Sequence, residues 1–273
     1  MKVSARGVLF DLDGTIYEGT HLIPCAAETL HWCRQQGLPY RFVTNTTSKP
    51  RAHIVAKLAS FGIETSPDEI LTAPSAAREL LLKRGLTRCH LLLPPELLVD
   101  LDGITPTDED PQAVVIGDLG HAFTYDLLNH AFRLLLDDPA CHFLTLARNR
   151  YFQTDHGLTL DSGPFTAALE FATARPAELV GKPAPTFFHT AAASLALPPA
   201  EVLMIGDDLE SDALGAQAAG LQGALVRTGK YRSEQLASNP QRPDAIWNSI
   251  ADLPHWLIFK NKDSNNPSSG RGG

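Results

Sequence analysis

Short apolar runs and longer amphipathic stretches alternate along this chain of 273 residues. Apolar runs of about four or five residues bounded by turn residues indicate buried strands, and apolar residues three or four positions apart indicate helices. The strands predicted near the two ends of the chain are Gly7 to Phe10, Tyr40 to Val43, Glu178 to Val180, Val202 to Ile205 and Gly223 to Val226. The helices predicted between them run from Ala26 to Gly37, Pro50 to Gly62, Pro183 to Leu197 and about Asp212 to Ala219. This alternation predicts an α/β fold with a Rossmann-like, doubly wound parallel sheet.

A second domain is predicted within the stretch between Asn45 and Lys182, which is far longer than the roughly 30 residues of one strand–helix–strand unit. This stretch has its own predicted strands and helix, at His90 to Leu93, Ala113 to Ile116, Tyr125 to Leu136 and His142 to Leu146. We therefore predict a core formed by residues 1–74 and 176–262, with an inserted α/β domain at 75–175. Residues 263–273, which lack apolar side chains from Asn265 onward, predict a disordered tail.

Composition and charge exclude several classes of protein. The formal net charge of -8 and the lack of a Lys/Arg-rich run argue against a nucleic-acid partner. No apolar run approaches the roughly 20 residues that span a bilayer, and the N-terminus leads directly into the first strand without a signal peptide. The four cysteines contain no C-x-x-C pair, and the ten histidines contain no H-x-x-x-H or H-E-x-x-H motif, so zinc catalysis has no support. A cytoplasmic protein without a membrane or nucleic-acid partner is the expectation.

Two carboxylates, Asp11 and Asp13, directly follow the first predicted strand, and Gly14 ends it. Open α/β sheets bind ligands at the carboxyl ends of their strands. Because a buried unpaired charge is costly, a cation is expected beside these residues. Mg²⁺ takes oxygen ligands and is typically held by few protein carboxylates together with a substrate phosphate. Asp11 and Asp207 can supply those carboxylates, and Asp13 can contribute its backbone carbonyl.

The same two aspartates suit the chemistry of phosphoryl transfer. A carboxylate can attack phosphorus and form an aspartyl-phosphate, which divides one difficult step into two easier steps. We assign this nucleophilic role to Asp11. Asp13 is the predicted general acid and base, which protonates the leaving oxygen and later activates water.

Other polar residues follow later predicted strands and can bind the phosphoryl group. Thr44 and Asn45 can donate hydrogen bonds to its oxygens, and Lys182 offers a positive charge. Asp212 is placed to orient metal-bound waters or Lys182. Each stretch alone also has a simpler interpretation: a turn or calcium loop at Asp11 to Gly14, a helix cap at Thr44, a solvated loop lysine, or an acidic helix start. Their joint occurrence at strand ends favours a single site.

Four stretches, taken in order, resemble the motifs of the haloacid dehalogenase-like hydrolase superfamily: Asp11 to Thr15, Thr44 and Asn45, Gly181 to Pro183, and Gly206 to Asp212. The insertion resembles the large α/β cap of subfamily IIA, which includes p-nitrophenyl phosphatase-like enzymes. Among the members of this subfamily, the phospholysine phosphohistidine inorganic pyrophosphate phosphatases are the ones that the stretches Gly181 to Pro185 and Val226 to Lys230 resemble. The resemblance implies Asp11 as the nucleophile and Asp13 as the acid/base. It also implies Mg²⁺ held by Asp11, Asp13 and Asp207, and it allows a homodimer formed through the cap.

The leading hypothesis is a Mg²⁺-dependent phosphatase acting on a small phosphorylated molecule, such as a phosphomonoester, a phosphoramidate or pyrophosphate. One alternative is a phospho-accepting, receiver-like signalling protein, which also combines an aspartate, a hydroxyl residue, a lysine and Mg²⁺. The other is a dehalogenase of the same superfamily. Dehalogenases typically lack the second aspartate of the first motif, so Asp13 favours a phosphorus substrate. No residue of the insertion identifies a particular substrate.

Overall fold

The computed structural model describes residues 5–154 and 157–264. The strands are β1 (Gly7–Asp11), β2 (Tyr17–Glu18), β3 (His21–Leu22), β4 (Tyr40–Thr44), β5 (Ile70–Thr72), β6 (Arg88–Leu92), β7 (Thr105–Pro106), β8 (Ala113–Ile116), β9 (His142–Thr145), β10 (Tyr151–Thr154), β11 (Gly157–Leu160), β12 (Glu178–Leu179), β13 (Val202–Gly206), β14 (Gln222–Val226) and β15 (Ala245–Trp247). The helices are α1 (Ala26–Gln35), α2 (Arg51–Ser60), α3 (Ala73–Lys83), α4 (Tyr125–Asp137), α5 (Ser162–Thr173), α6 (Pro185–Ser194), α7 (Gly215–Ala218), α8 (Ser233–Ser238) and α9 (Leu253–Ser264).

The chain divides into two compact units. Unit 1 takes the described residues within Met1–Thr44, Leu58–Ile70 and Phe188–Gly273, and unit 2 consists of Asn45–Lys57 and Leu71–Phe187. The predicted tail, 263–273, lies outside the described residues except for Asp263 and Ser264, which end α9. None of the described helices is both long enough and apolar enough to cross a lipid bilayer.

Unit 1 is built on a parallel sheet with β1 in a central position. The sheet has the order β15-β14-β13-β1-β4-β5, in which β5 begins at Ile70, the last residue of this unit in that segment. The pairings of β15 with β14, β14 with β13, β13 with β1 and β1 with β4 are all parallel. The chain order reverses at β1, which has the early strand β4 on one side and the late strand β13 on the other. This arrangement confirms the predicted doubly wound α/β class and makes the end of β1 a topological switch point.

The strands at the centre of this sheet are buried along their whole length because both faces are covered. Every residue of β1, β13 and β14 is buried, as expected for a parallel sheet packed on two sides. Phe10 anchors this core, since its ring meets Tyr40 edge-on at a centroid distance of 5.7 Å and lies 6.5 Å from Phe42. The central strands therefore provide a rigid base for the residues that follow them.

Unit 2 has a hydrophobic core of its own around a five-stranded parallel sheet. The strand order is β12-β9-β8-β6-β7, and an antiparallel hairpin forms from β10 and β11. Apolar residues of this sheet and of α4 and α5 form one buried cluster that includes Val114, Leu135, Phe143 and Leu169. Unit 2 is thus a second α/β unit.

Two elements differ from the sequence-based prediction by more than a few residues at their ends or in the sheet that they join. The strand Glu178–Leu179 pairs with β9 in the sheet of unit 2, whereas the sequence analysis grouped it with the core. The crossover through α5 returns the chain parallel to β9, and an apolar pattern cannot show which sheet a strand joins. The helix predicted from Asp212 instead begins at Leu209 as a π-helix, Leu209–Leu214, which leads into α7. The Asp208 side chain caps this earlier start by accepting hydrogen bonds from the backbone.

We expect Phe10→Ala to lower the free energy of unfolding of unit 1 by about 3–5 kcal/mol, because it leaves a cavity in a fully buried position. Urea denaturation followed by tryptophan fluorescence reports on this unit specifically, since the three tryptophans, Trp32, Trp247 and Trp256, all lie in it. Ile258→Ala is the matched control in the same unit. Ile258 is 48% exposed, so its truncation should change stability by less than about 1 kcal/mol. Equal effects of the two substitutions would contradict the assignment of Phe10 to the core.

Candidate active site

Three buried carboxylates meet at the end of strands β1 and β13. The register of the two strands pairs Phe10 with Ile205, so Asp11, one residue further along β1, and Asp207, two residues further along the chain from Ile205, lie at the same edge of the sheet. Oxygen atoms of Asp11, Asp207 and Asp212 all lie within 4.8 Å of one another, and we call these three residues the carboxylate cluster. Their exposed fractions are 7%, 1% and 1%. The structure thus brings the first predicted motif together with the last.

Asp212 reaches the cluster from the π-helix that follows β13. The backbone N–H of Asp208 donates to its Oδ2 at 3.1 Å, which fixes the carboxylate against the start of the helix. Gly206 lies just beneath it, and a Cβ at that position would be 2.1 Å from Oδ2 of Asp212. Only glycine leaves enough space for Asp212 to approach the strand end.

Asp207 is held by backbone groups on one side only. Its Oδ2 accepts a hydrogen bond of 2.6 Å from the backbone N–H of Lys230. Gly14 and Gly229 press on the same oxygen, since a Cβ at either position would be 2.1 Å from it, and both have positive φ, 84° and 57°. Its Oδ1 is buried and has no hydrogen-bond partner among the described residues. A buried carboxylate oxygen without a hydrogen-bond partner costs free energy unless a cation or a proton binds to it.

The electrostatics of the cluster follow from its burial. Burial first, and then the carboxylates of Asp11 and Asp212, raise the pKa of Asp207 to about 8. Lys230 partly offsets this effect. Burial alone would lower the pKa of Lys230, but the carboxylate cluster and Asp208 raise it above its ordinary value. The sequence analysis gave Lys230 no role. Its position could have indicated a role, because Lys230 lies in the loop after β14, at the carboxyl end of the strand next to β13.

The loop after β1 is folded tightly around a single carbonyl group. The backbone oxygen of Leu12 accepts from Thr15, Ile16 and Tyr17, and Gly14 donates to the Tyr17 carbonyl at 2.6 Å. The Thr228 hydroxyl donates to the Gly14 carbonyl and ties this loop to the one that follows β14. The loops that surround Asp207 are therefore held to each other.

Asp13 differs from Asp11 in its surroundings. The Asp13 side chain is exposed, and its carboxylate is not among those that form the carboxylate cluster. Burial, with smaller contributions from Asp13 and Asp11, raises the pKa of the Tyr17 hydroxyl. Tyr17 therefore stays protonated beside the two aspartates.

The predicted phosphate-binding residues fall in both units. Thr44 is buried at the end of β4, one residue beyond Val43, the parallel partner of Asp11. Asn45 and Lys182 belong to unit 2, where they are joined by two hydrogen bonds. The Asn45 amide donates to the Lys182 carbonyl at 2.8 Å, and the Lys182 N–H donates to the Asn45 Oδ1 at 2.8 Å. The Lys182–Pro183 peptide bond is cis, and the Lys182 side chain is buried. The Asn45 side chain thus positions the backbone of Lys182.

The carboxylate cluster fits a hard divalent cation. All of its donors are oxygens, the set that Mg²⁺ prefers, and imidazole and thiolate ligands are absent from it. The unsatisfied Oδ1 of Asp207 is a donor with no other use in the described part of the chain. The site therefore meets the chemical requirement that the sequence motifs imply.

Comparison with known proteins identifies the relatives of this chain. Residues 8–104 match the family model described as haloacid dehalogenase-like hydrolase, and residues 179–253 match a second model of the same superfamily. The chain is 37% identical to phospholysine phosphohistidine inorganic pyrophosphate phosphatase of Xenopus laevis, over 93% of this chain and 94% of that protein. It is 42% identical to human haloacid dehalogenase-like hydrolase domain-containing protein 2, over 86% and 89%.

A solved structure extends the similarity to the fold. The 4-nitrophenylphosphatase of Thermotoga maritima superposes with a TM-score of 0.85 at 28% identity, covering 92% of this chain and 97% of that one. These findings confirm the resemblance that the sequence motifs indicated. The chain is a hydrolase and belongs to the haloacid dehalogenase-like hydrolase superfamily.

Proposed function

We propose that this hydrolase is a Mg²⁺-dependent phosphatase that cleaves a small phosphorylated substrate through an aspartyl-phosphate on Asp11. The observation that carries the proposal is the buried carboxylate cluster, which includes one oxygen without a partner, at the switch point of the sheet. The names of the relatives support the class of substrate: phospholysine, phosphohistidine, pyrophosphate and nitrophenyl phosphate all contain a phosphoryl group on a small molecule. A phosphomonoester, a phosphoramidate and pyrophosphate all fall within the proposal.

The proposed metal ligands are the carboxylates of Asp11 and Asp207 and the backbone carbonyl of Asp13. When bound, Mg²⁺ would neutralise part of the negative charge on the phosphoryl group and on the carboxylates. Asp212 lies close enough to hold metal-bound water in place. The backbone of Lys230 fixes Oδ2 of Asp207, which leaves Oδ1 for the ion.

The two aspartates divide the chemistry between them. A carboxylate oxygen of Asp11 attacks phosphorus, and the bond from phosphorus to the leaving group breaks as Asp13 delivers a proton to that group. Asp13 then takes a proton from water as the water attacks the aspartyl-phosphate. This second step releases phosphate and restores the Asp11 carboxylate. Their different burial suits these roles, because Asp11 is sheltered from water and Asp13 is open to proton exchange.

Thr44, Asn45 and Lys182 are proposed to bind the phosphoryl oxygens, a role that rests on the sequence motifs. The buried hydroxyl of Thr44 and the charge of Lys182 are the suitable donors. Asn45 supports Lys182 through its two hydrogen bonds to the lysine backbone. We therefore assign Asn45 a positioning role in addition to the predicted contact with phosphate.

The two alternatives are less well supported. A receiver-like protein must keep its phosphoryl group, whereas Asp13 is available to hydrolyse it, and the relatives named for an activity are phosphatases. A dehalogenase has no leaving oxygen that needs a proton, so Asp13 would have no task there. Both alternatives thus leave Asp13 unexplained.

We also propose that the chain forms a homodimer through unit 2. The β10–β11 hairpin exposes large apolar side chains, with Tyr151 57% and Leu160 56% exposed as a cross-strand pair and Leu158 67% exposed nearby. A cluster of exposed apolar residues is typical of a protein contact. Together with the family resemblance, this surface supports self-association.

We expect Asp11→Asn to reduce turnover of 4-nitrophenyl phosphate by about 10⁴-fold or more, because the amide is not a nucleophile. Steady-state release of nitrophenolate in excess Mg²⁺ measures the effect, and tryptophan fluorescence checks the fold. Asp137→Asn, at the exposed end of α4, is the matched control and should retain full activity. Activity of the Asp11 variant near that of the control would rule out the proposed nucleophile.

The stability of the metal-free protein should depend on pH through Asp207. Its pKa is raised from 3.8 to about 8 in the native state, so the native state binds more protons than the unfolded state between these values. The contribution of Asp207 to the free energy of unfolding therefore falls as the pH rises through this range. We expect the free energy of unfolding of the wild type, measured by urea denaturation in EDTA, to fall steadily over this range relative to that of Asp207→Asn. Mg²⁺ should bind more tightly at higher pH, because it competes with the proton. A pH-independent difference would contradict this assignment.

Leu160→Lys should weaken self-association at least about tenfold, because it places a charge within the exposed apolar surface of the hairpin. Sedimentation velocity over a range of protein concentrations measures the dimer. Leu136→Lys is the control, since Leu136 is a similarly exposed leucine of unit 2 (55%) but lies on α4. A wild-type chain that sediments as a monomer would refute the proposed dimer.

A further inference from the structure

A second cluster of potential metal ligands lies in unit 2, apart from the proposed catalytic residues in sequence and in chemistry. His90, Asp108 and His130 each offer a ligand atom, and these atoms lie within 4.8 Å of one another. The residues are 18 and 22 positions apart. This spacing is much longer than that of the short zinc motifs, so the sequence pattern gave no sign of it. Nothing in the proposed phosphatase chemistry uses these residues.

The fold of unit 2 brings the three residues together from three different elements. His90 is the central residue of β6, and β7 pairs with β6 so that Cys89 faces Pro106. The backbone N–H of Thr107 donates to the Cys89 carbonyl at 2.9 Å, which carries the pairing one residue further and places Asp108 next to His90. His130 comes from α4. The cluster is therefore set by sheet register and by the position of one helix.

The contacts of His90 leave one of its nitrogens unused. Its Nδ1 lies 3.0 Å from Oδ1 of Asp108, whereas its Nε2 is buried with no hydrogen-bond partner among the described residues. The side chain as a whole is 96% removed from solvent, with 4% exposed. Because Nδ1 faces the Asp108 carboxylate and Nε2 lies on the opposite side of the ring, Nδ1 is the nitrogen that can share a cation with Asp108.

The other two residues complete a compact donor set. Nε2 of His130 lies 3.2 Å from the backbone oxygen of Asp108, and the two imidazole rings meet edge-on at a centroid distance of 5.0 Å. The Asp108 side chain is 82% exposed, so an ion can reach the cluster from solvent.

We propose that His90, Asp108 and His130 form a binding site for a borderline divalent ion of the zinc class. Two imidazole nitrogens and one carboxylate oxygen are donors that Zn²⁺ accepts, and solvent can supply the fourth ligand of a tetrahedral site. Mg²⁺ prefers an all-oxygen set and dehydrates reluctantly, so it should favour the carboxylate cluster of unit 1. The chain thus carries two sites whose donor chemistry selects different ions.

The bound ion would join three elements of unit 2 at a place where backbone pairing is short. Strand β7 has only two residues and forms the edge of the sheet beside β6. A metal bridge from β6 to the segment after β7 and to α4 adds a constraint that the sheet alone does not provide. Because the ion binds the folded unit and not the unfolded chain, it should raise the stability of unit 2 by an amount that grows with the logarithm of the free ion concentration above the dissociation constant.

The test is a competition titration of the full chain with Zn²⁺ against a chromophoric zinc chelator, in millimolar Mg²⁺ to occupy the carboxylate cluster. We expect one tight site per chain in the wild type and an affinity at least about tenfold lower in His130→Gln and in Asp108→Asn. His142→Gln is the matched control, because His142 is an exposed histidine of the same unit on β9. It should bind like the wild type.

Two further measurements distinguish the proposed site from adventitious binding. Substitution with Co²⁺ should give the visible absorption of a tetrahedral site in the wild type and in His142→Gln, and not in His130→Gln. Zn²⁺ should also stabilise unit 2 against unfolding. Slower amide hydrogen exchange in β6 and α4 in the presence of Zn²⁺ would report this stabilisation. Equal zinc affinity in all variants, or no binding by a wild type that is folded by circular dichroism, would overturn the proposal. Its outcome is independent of the Asp11→Asn result, since neither histidine takes part in the proposed phosphatase chemistry.

Discussion

The mutual repulsion of three buried carboxylates is the constraint on which the rest of unit 1 depends. Asp11, Asp207 and Asp212 lie within 4.8 Å of one another with little access to water, an arrangement that a fold cannot hold without compensation. Burial, and then the charges of Asp11 and Asp212, raise the pKa of Asp207, so a proton on this carboxylate is the compensation in the metal-free protein. In the proposed active form it is a cation. Holding these carboxylates together therefore lowers the stability of unit 1 unless a proton or a cation compensates their charge.

Glycines and backbone hydrogen bonds, and not large side chains, surround the carboxylate cluster. Three glycines, Gly14, Gly206 and Gly229, lie against the carboxylates at distances where any Cβ would collide with an oxygen. The hydrogen bond from Lys230 and the tie between Thr228 and Gly14 fix the two loops around Asp207. The carboxylates are therefore positioned by backbone, which cannot rotate away as a side chain can. The apolar strands beneath them supply the rigidity.

The sequence predicted the fold class and the meeting of Asp11 with Asp207, because both depend on local signals. Apolar runs give strands, and residues directly after adjacent parallel strands must share one edge of the sheet. The pattern did not predict that β12 joins the sheet of unit 2, since a strand's partner is decided by the path of the chain in space.

The sequence pattern also did not predict the contact of Lys230 with Asp207 or that of Asn45 with Lys182. Lys230 acts through its backbone N–H, which any residue type except proline offers, and the Asn45 side chain bonds to the backbone of Lys182, whose side chain was the only part considered. The pair His90 and His130 was hidden because its spacing follows from sheet register and helix placement.

The position of Lys230 has a consequence for which ion the site can use. When ionised, the carboxylate cluster carries three negative charges, and Lys230 contributes one positive charge among them. A divalent ion brings this group to neutrality, so a phosphoryl dianion can enter without net repulsion. A monovalent ion would leave the site negative, and a trivalent ion would leave it positive and inclined to retain the phosphate that it releases. In the proposed metal-bound form, the lysine in the loop after β14 would thus match the valence of the ion to the charge of both the proposed substrate and its product.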